Sequence, residues 1–224
     1  MGKREPIVID FIGVGGAGKT YIAKKLSLKI KEEGTSVVLA NLEKLSFTMF
    51  IQFVFQQPRK FFMAFLFTKS SKPKGLKKYK QTLFATLNYC IKHHYFHQRN
   101  YKYVIFDEGL IHKLRQMRRR SRLSTLNYDD IQKKYRDLFF KYPDVIIFVN
   151  PSITCLTERR KKRSQRDVHS VQIELNTLDG DIRKSISQTE SDLREAGKEL
   201  DFDFIEITNK NNNESVEEIL RLID

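Results

Sequence analysis

Five short apolar runs recur along the chain, and each is followed by sequence with the spacing of a helix. The runs occupy residues 6–12, 35–42, 101–109, 144–152 and 202–208. Near-continuous apolar strands that alternate with helices are typical of a parallel sheet covered on both faces. The pattern predicts a three-layer α/β fold without internal repeats. We expect residues 1–224 to form a single domain, because this length is within the usual range for one.

Helical spacing is clearest near the two ends of the chain and in one long middle segment. Residues 18–33, which end before a glycine, form a predicted helix, and residues 214–223 form another. Between the second and third strands, residues 45–98 have helical spacing in two or three pieces. Pro58 divides the first part, and residues 69–75 (KSSKPKG) predict a loop before the last helix. Residues 45–98 are called the insert below.

The first part of the insert is dense in phenylalanine. The residues are Phe47, Phe50, Phe53, Phe55, Phe61, Phe62, Phe65 and Phe67. We favour a helical hairpin that packs on the sheet. The alternatives are an apolar pocket for a small-molecule acceptor and a patch that touches a membrane peripherally, because Lys60 and Lys69 flank three of these rings.

The first strand runs into GVGGAGKT, residues 13–20, which matches G-x-x-x-x-G-K-[ST] in full. Its glycines allow backbone N–H groups to turn inward around phosphate oxygens, and the following helix directs its positive end at the same anion. Lys19 can bridge the outer phosphates, and the Thr20 hydroxyl can ligate Mg²⁺. The predicted nucleotide-binding residues are Gly13, Gly15, Gly16, Ala17, Gly18, Lys19, Thr20 and Tyr21.

The third strand supplies a second half for the nucleotide site. It ends in Asp107, at the carboxyl edge of the predicted sheet, where the phosphate loop also emerges. An acidic residue at this point can hold Mg²⁺ through water. Thr20 and Asp107 are therefore the predicted metal-binding residues. The neighbouring Glu108 can orient or deprotonate an attacking group.

A basic helix is predicted after the fourth strand, beginning near Ser152. Arginines recur along it at helical spacing: Arg159, Arg160, Arg163 and Arg166. Arginine forks supply the positive charge that a transferring phosphoryl group requires, although a solvated basic surface is the alternative. A second basic cluster, residues 112–122, is interpreted either as a site for an anionic acceptor or as plain surface.

The formal net charge of +14 suggests an anionic partner. A nucleic-acid-dependent NTPase is possible but not favoured, because no helicase-like motif or base-stacking module is found. Cys90 and Cys155 form no disulfide framework or zinc motif. His93, His94 and His97 lie near the end of the insert, and His93 and His97 are one helical turn apart. We favour a solvated helix end over a metal site, since no acidic partner or third ligand has a recognised spacing. The N-terminus does not resemble a signal peptide, so we expect a cytoplasmic protein.

Three motifs together resemble the P-loop small-molecule kinases, with the thymidylate kinase and deoxynucleoside kinase branches nearest. They are GVGGAGKT on the first strand, DEG on the third, and NPSITCLTERRKKRSQRD after the fourth. The resemblance covers most of the chain and is weakest in the insert. It implies a three-layer P-loop kinase-like fold whose five-stranded parallel sheet has the order 2-3-1-4-5, with helices on both faces. It also implies a mobile lid over the phosphates, at about residues 152–170, and a possible homodimer.

The same resemblance implies residue roles. ATP·Mg²⁺ would be bound by Lys19, Thr20 and Asp107, and residues 208–213 would lie near the adenine. The implied lid arginines are Arg159, Arg163 and Arg166.

Two departures from the resembling families bear on the acceptor. Thymidylate kinases carry an arginine directly after the strand-three aspartate, where this chain has Glu108. A carboxylate there repels a phosphate acceptor but can serve a hydroxyl. Deoxynucleoside kinases place a glutamate base after the second strand, where Glu43 lies without the usual neighbours. Glu108 and Glu43 are thus rival bases.

The sequence therefore predicts an ATP-dependent kinase that transfers the γ-phosphoryl group to a hydroxyl of a nucleoside, sugar or glycan. The alternatives are a nucleoside monophosphate kinase and a nucleotide-dependent nucleic-acid-binding NTPase.

Overall fold

Five parallel strands form one sheet with the order β2-β3-β1-β4-β5. They are β1 (Ile7–Ile12), β2 (Val37–Leu39), β3 (Tyr103–Phe106), β4 (Val145–Val149) and β5 (Asp203–Ile207). The computed structural model describes residues 5–70, 75–110, 112, 138, 143–164, 175–200, 203–208 and 212–223. All five predicted strands are confirmed, each shorter than its apolar run, and so is the predicted strand order.

The strand β1 lies at the centre of the sheet, between β3 and β4. Asp10 of β1 is in register with Phe106 of β3 and with Ile146 of β4. The chain runs from β1 to the β2–β3 side and later returns to the β4–β5 side. The carboxyl end of β1 is therefore a topological switch point, which is where open α/β sheets bind ligands.

Helices cover both faces of this sheet. They are α1 (Lys19–Glu32), α2 (Phe47–Gln56), α3 (Pro58–Ser70), α4 (Leu76–His97), α5 (Ile153–Ser164), α6 (Leu175–Leu200) and α7 (Asn212–Ile223). The predicted helices at 18–33 and 214–223 are confirmed within two residues. The helix α5 begins where predicted, because the Ser152 hydroxyl accepts a 3.3 Å bond from the Cys155 amide as an N-cap. The long helix α6 was not predicted.

Alternating strand residues divide the interior into two cores, as a sheet covered on both faces requires. Val8 and Ile12 of β1 pack with α2, α3 and α4 on one face. Ile9 and Phe11 pack with α1, α5, α6 and α7 on the other. The arrangement confirms the three-layer α/β fold.

The insert consists of three helices that pack on the β2–β3–β1 side of one face. Ser46 caps α2 by accepting a 3.1 Å bond from the Met49 amide. Pro58 is the first residue of α3, a position whose N–H has no partner inside the helix, so the missing N–H of proline costs no hydrogen bond. Phe53 and Phe67 are fully buried, so the interpretation as packed helices is confirmed. Several other rings of the insert stay on the surface. Most of the predicted loop at 69–75 lies outside the described residues.

The expectation of solvated histidines at the end of α4 is wrong for His93 and His94, which are buried. The reason is that this end of α4 is covered on two sides. The His93 ring stacks on Phe106 of the sheet, and Phe53 of α2 meets His94 edge-on at 5.8 Å between ring centroids. Within the described residues, no group of three His, Cys, Asp or Glu side chains is placed to hold a metal ion.

Over the same described ranges, no helix combines the length and the apolar character needed to cross a bilayer.

Candidate active site

The glycine-rich loop after β1 passes close over the end of β4. Gly13 has φ 154°, and a Cβ at this position would lie 2.6 Å from the carbonyl oxygen of Val149. Gly18 takes a left-handed conformation, with φ 98° and ψ 9°, at the N-cap of α1. Both positions therefore need glycine. The residues predicted to bind nucleotide, from Gly13 to Ala17, lie in this loop, and the N-terminus of α1 follows it with its positive dipole end.

The ammonium group of Lys19 is buried at the base of the loop. Its Nζ donates to the carbonyl oxygens of Gly13, at 3.0 Å, and of Val14, at 3.3 Å. These bonds bring the charge back over the loop instead of letting it extend into solvent. The predicted role of Lys19, which is to meet the outer phosphates of a bound nucleotide, stays a prediction.

Asp107 is fixed by partners from two other elements. The Thr20 hydroxyl, in the first turn of α1, donates a 2.7 Å hydrogen bond to Oδ2 of Asp107. The side-chain amide of Asn41, just after β2, donates to the other carboxylate oxygen. The predicted metal-binding pair is thus brought together, and Asn41 is an additional residue of the site. Its only sequence signal was a polar side chain at the end of a strand that is paired with β3.

Glu108 lies between the ammonium group of Lys19 and the imidazole of His112. Its Oε1 is 3.8 Å from Nζ of Lys19, and its Oε2 is 3.8 Å from Nε2 of His112. The carboxylate is half-exposed, so a solute can reach it. His112 comes from the second basic cluster, most of which lies outside the described residues. The structure therefore places Glu108 beside Lys19, the lysine predicted to bind phosphate.

Gly109 is required by a buried carboxylate on the central strand. A Cβ at residue 109 would lie 1.7 Å from Oδ1 of Asp10, a contact that no side chain could make. Asp10 is fully buried on the face of β1 that packs toward α4. The backbone that carries Asp107 and Glu108 therefore rests directly on Asp10. Sequence reasoning missed this contact, because neither residue belongs to a recognised motif.

Of the predicted lid arginines, Arg159 is placed against the phosphate loop. Its guanidinium donates to the carbonyl oxygens of Ala17, at 3.0 Å, and Gly16, at 3.4 Å. Arg163 belongs to α5, but its side chain lies outside the described residues, as does Arg166 entirely. Residues 209–211, half of the segment predicted to lie near the adenine (208–213), also lie outside the described residues. The roles of these residues stay predictions.

Two further predicted residues lie at the rim of the site. Glu43 is exposed and follows Asn41 by two residues, so it stands at the same carboxyl edge as Asp107. Tyr21 is about half-exposed on α1, where Nζ of Lys25 lies 5.2 Å from its ring centroid. Among the described residues, neither side chain makes a contact with the cluster around Lys19. Glu43 as a base and Tyr21 as a nucleotide contact stay predictions.

The oxygen atoms at the Thr20–Asp107 pair suit Mg²⁺, which prefers carboxylate and hydroxyl oxygens together with water and phosphate. The cluster as a whole combines an anion-binding loop, a buried ammonium group, this oxygen pair and an accessible second carboxylate. Such an arrangement can hold a nucleoside triphosphate and present an acidic side chain to a second molecule.

Neither models of known protein families nor curated protein sequences match the chain. Solved structures do match it. A deoxyadenosine kinase from M. mycoides with the products dCMP and a flexible dCDP superposes with a TM-score of 0.54 at 19% identity, covering 97% of this chain and 98% of that one. The dCTP-bound and dATP-bound forms of that enzyme have TM-scores of 0.46 and 0.47 at 16% and 17% identity, with the same coverage. The chain therefore has the fold of a P-loop deoxynucleoside kinase.

Proposed function

We propose that the protein is an ATP-dependent kinase that transfers the γ-phosphoryl group to a hydroxyl of a nucleoside, with deoxynucleosides as the first candidates. The observation that carries this proposal is the position of Glu108. Its carboxylate lies 3.8 Å from the ammonium group of Lys19 and directly follows Asp107 in the chain. An accessible base beside a phosphate-binding lysine is what phosphoryl transfer to a hydroxyl needs.

The donor is held by the phosphate loop. Backbone N–H groups at the start of α1 and the ammonium group of Lys19 bind the β- and γ-phosphates. Arg159 already lies against the carbonyl oxygens of this loop, so a small movement of its guanidinium would bring it to the γ-phosphate. Positive charge at that point stabilises the charge that spreads over the transferring group.

Thr20 and Asp107 would hold Mg²⁺, because their oxygens meet at 2.7 Å beside the loop. A bound Mg²⁺ would neutralise charge on the donor phosphates. Asn41 keeps the Asp107 carboxylate oriented through its second oxygen. Orientation of this kind by outer-shell partners commonly changes metal affinity by about 10–100-fold.

In the transfer step, the acceptor oxygen forms a bond to the γ-phosphorus while the bond from that phosphorus to the β–γ bridging oxygen breaks. ADP leaves with the bridging oxygen, and the proton of the acceptor hydroxyl passes to a carboxylate. Glu108 is the better-placed carboxylate, since it contacts Lys19, and Glu43 at the end of β2 is its rival. Exclusion of water by the predicted lid would protect ATP from hydrolysis.

A nucleoside fits better than a nucleoside monophosphate as the acceptor. Glu108 would repel the phosphate of a monophosphate, and no described arginine faces that carboxylate. The fold supports the same preference, because the M. mycoides enzyme is a deoxyadenosine kinase with dCMP among its products. Sugars and glycans keep the same hydroxyl chemistry and are the remaining acceptor class.

The test is an ADP-release screen with the purified chain, Mg²⁺ and either ATP or GTP. The acceptors are deoxynucleosides, ribonucleosides, nucleoside monophosphates and sugars, and each product is identified by mass. We expect a monophosphate product from at least one deoxynucleoside. Turnover of nucleoside monophosphates alone would overturn the acceptor assignment. Failure to retain any nucleoside triphosphate in the presence of Mg²⁺ would overturn the kinase proposal itself.

The cellular setting follows from the same proposal. A cytoplasmic location is proposed with it, because ATP is available there to a small-molecule kinase. The P-loop small-molecule kinases that the sequence resembles often dimerise through their helices, so a homodimer is proposed as well. Light scattering of the purified chain would test it.

A further inference from the structure

The net charge of the protein is concentrated in one segment. Between Glu43 and Asp107 the sequence contains twelve Lys and Arg residues and no Asp or Glu. The rest of the chain holds the other 29 basic residues against all 27 acidic ones, so nearly all of the +14 charge belongs to this segment. The segment contains the insert, which the kinase chemistry proposed above does not use. A segment with such an excess of basic residues attracts an anionic partner where those residues are exposed.

The insert also exposes large apolar side chains on α2. Phe47 and Phe55 are 78% and 80% exposed, and Ile51 lies between them at the i+4 position. Residues four apart share one face of a helix, and this face is opposite to the buried Phe53. The ten residues of α2 include no charged side chain, whereas Lys44 precedes the helix.

The helix α3 repeats this pattern. Phe62 is 62% exposed, Leu66 follows it by four residues, and both lie on the side away from the buried Phe67. Arg59 and Lys69 are exposed on the same side of the helix, by its periodicity. The Phe50 and Phe61 rings meet edge-on at 6.0 Å, so the two helices pack together.

We define the outer face as the side chains on the solvent side of α2 and α3, together with Lys44 just before α2. Its apolar members are the exposed Phe47, Phe55, Phe62 and Leu66 and the partly exposed Ile51, and its basic members are Lys44, Arg59 and Lys69. We propose that the outer face binds the surface of an anionic lipid bilayer. The rings and aliphatic chains would enter the boundary between headgroups and acyl chains, and the basic residues would bind lipid phosphates.

Charge decides between a bilayer and a second copy of the chain. In a two-fold symmetric contact the outer face would meet itself, and its basic side chains would face one another with no acidic residue of the segment to pair with. Like charges opposed across an interface are unfavourable. An anionic bilayer complements both the basic and the apolar side chains of the outer face.

Nucleic acid complements fewer side chains of the outer face than a bilayer does. Its phosphates would match the basic residues, and its bases could stack on the phenylalanine rings. The aliphatic Ile51 and Leu66, however, gain nothing comparable from stacking. Acyl chains bury aliphatic and aromatic groups alike.

The absence of tryptophan from the chain allows a direct test, because one introduced tryptophan is the only one present. Phe55→Trp places it on the outer face. Leu28→Trp is the matched control, since Leu28 is 59% exposed on α1, in the opposite layer. Each protein is mixed, without nucleotide, with phosphatidylcholine vesicles that contain or lack phosphatidylserine.

We expect the emission of the Phe55→Trp protein to shift to shorter wavelength with the anionic vesicles only, and to be quenched by lipids brominated on their acyl chains. The Leu28→Trp protein should not respond. In co-sedimentation, replacing Phe47, Phe55 and Phe62 together with serine should weaken binding roughly tenfold or more, because about three rings no longer enter the lipid. The control pair Leu28→Ser and Leu222→Ser, also at exposed positions, should bind like the wild type.

Each of four results would overturn the proposal. The first is no sedimentation of the wild type with anionic vesicles, and the second is unchanged sedimentation of the triple serine variant. The third is an emission shift that follows protein concentration without lipid, which would assign the outer face to contact between copies. The fourth is a response to a single-stranded oligonucleotide but not to vesicles. None of these readouts depends on kinase activity, so they stand apart from the test of the proposed function.

Discussion

The hydroxyl of Thr20 donates a 2.7 Å hydrogen bond to the carboxylate of Asp107, across 87 residues of sequence. The contact joins the first turn of α1 to the end of β3, so two neighbouring strands of the sheet supply one oxygen cluster. The amide of Asn41 holds the second carboxylate oxygen. The three side chains thereby orient one another, and charge stabilisation is most effective when the groups that provide it are held in place.

Asp107→Asn tests whether this cluster holds Mg²⁺. The amide keeps the shape of the side chain but removes its charge, so Mg²⁺-dependent ATP binding should weaken roughly 10–100-fold. Isothermal titration with ATP, with and without Mg²⁺, measures the effect. Asp181→Asn, an exposed carboxylate on α6, is the matched control and should bind as the wild type does. An unchanged Mg²⁺ requirement in Asp107→Asn would remove Asp107 from the metal site.

Lys19→Ala tests the phosphate-binding role of the buried ammonium group. The charge next to the γ-phosphate is lost, so turnover should fall by roughly a hundredfold or more. The fold should persist, because the bonds of the lysine to the carbonyl oxygens of Gly13 and Val14 and its 3.8 Å contact with Glu108 all lie at the loop and not in the core.

Lys24→Ala is the control for Lys19→Ala, because Lys24 is exposed on the same helix and should have no effect on turnover. Circular dichroism and the ADP-release rate are measured for both proteins. Wild-type turnover by Lys19→Ala would contradict the assignment of the loop.

Replacing Glu108 and Glu43 separately with glutamine identifies the base. The variant that loses the base should show kcat lowered by roughly 10²–10⁴-fold, with KM for ATP little changed, because only proton transfer is affected. We expect this result for Glu108→Gln. The pH dependence of kcat provides a second readout, since loss of the base should flatten its acid limb.

The same two variants can also show that Glu43, and not Glu108, is the base. A large fall in kcat for Glu43→Gln, with Glu108→Gln nearly normal, would move the base to the end of β2. Glu108 would then serve only to hold Lys19 in place.

Much of the site was predictable because its signals are local in sequence. The phosphate loop is a contiguous motif between a strand and a helix, and Asp107 ends a run of buried residues. Parallel strands bring their carboxyl ends to one edge, so Thr20 and Asp107 could be expected to meet. The observed hydrogen bond confirms that expectation. The strand order followed from the resemblance of the same motifs to a known family.

The contacts that sequence reasoning missed join residues that no motif links. Asn41 reaches Asp107 because β2 pairs with β3, and Gly109 meets Asp10 because β3 pairs with β1. Such contacts depend on strand register, which single residues do not reveal. The helix α6 was missed for another reason. Its polar sequence contains Gly180, which lowers helix propensity, and burial of residues such as Ile182 overrides that preference.

Gly109→Ala tests the contact with Asp10. The added methyl group would lie 1.7 Å from a carboxylate oxygen, so the 107–109 segment must move away from the central strand. We expect a loss of about 1–3 kcal/mol in the free energy of unfolding, as overpacking of a core usually causes. ATP affinity should fall as well, because the same segment carries Asp107.

The control for Gly109→Ala is Gly180→Ala, which adds the same methyl group where no atom lies within 4 Å. Because Gly180 is inside α6, alanine should stabilise the protein by about 0.5–1 kcal/mol. Urea unfolding and nucleotide titration measure both variants. Equal stability of the two alanine proteins would show that the Asp10 contact carries no strain.

We expect His94 to make the stability of the protein depend on pH. It is buried between α2 and α4, where its Nε2 lies 2.9 Å from Oε1 of Gln56. Burial lowers the pKa of His94 below its ordinary value of 6.5, and the positive charges of Lys60 and His97 lower it further. The unfolded chain therefore binds a proton more readily than the folded one.

The sign of the effect follows from linkage. A histidine with a lowered pKa contributes stability that is fully present above pH 6.5 and is lost as the pH falls toward the folded-state pKa. The melting temperature of the wild type should therefore fall below pH 6.5 more steeply than that of His94→Gln, which cannot take up a proton. For a domain of about 150–250 residues, about 1 kcal/mol corresponds to ~2–4 °C, so thermal melts at a series of pH values resolve the difference.

Lys60→Gln gives an independent check on the same group. Removing this charge weakens one cause of the lowered pKa, so the melting temperature should decline less steeply with acid than in the wild type. His97 is present in all three proteins and contributes a common background. A buried imidazole near positive charges should resist protonation, so the wild type and His94→Gln should differ in their dependence on pH. If their melting temperatures instead change in parallel between pH 7.5 and pH 5, protonation of His94 does not destabilise the folded state.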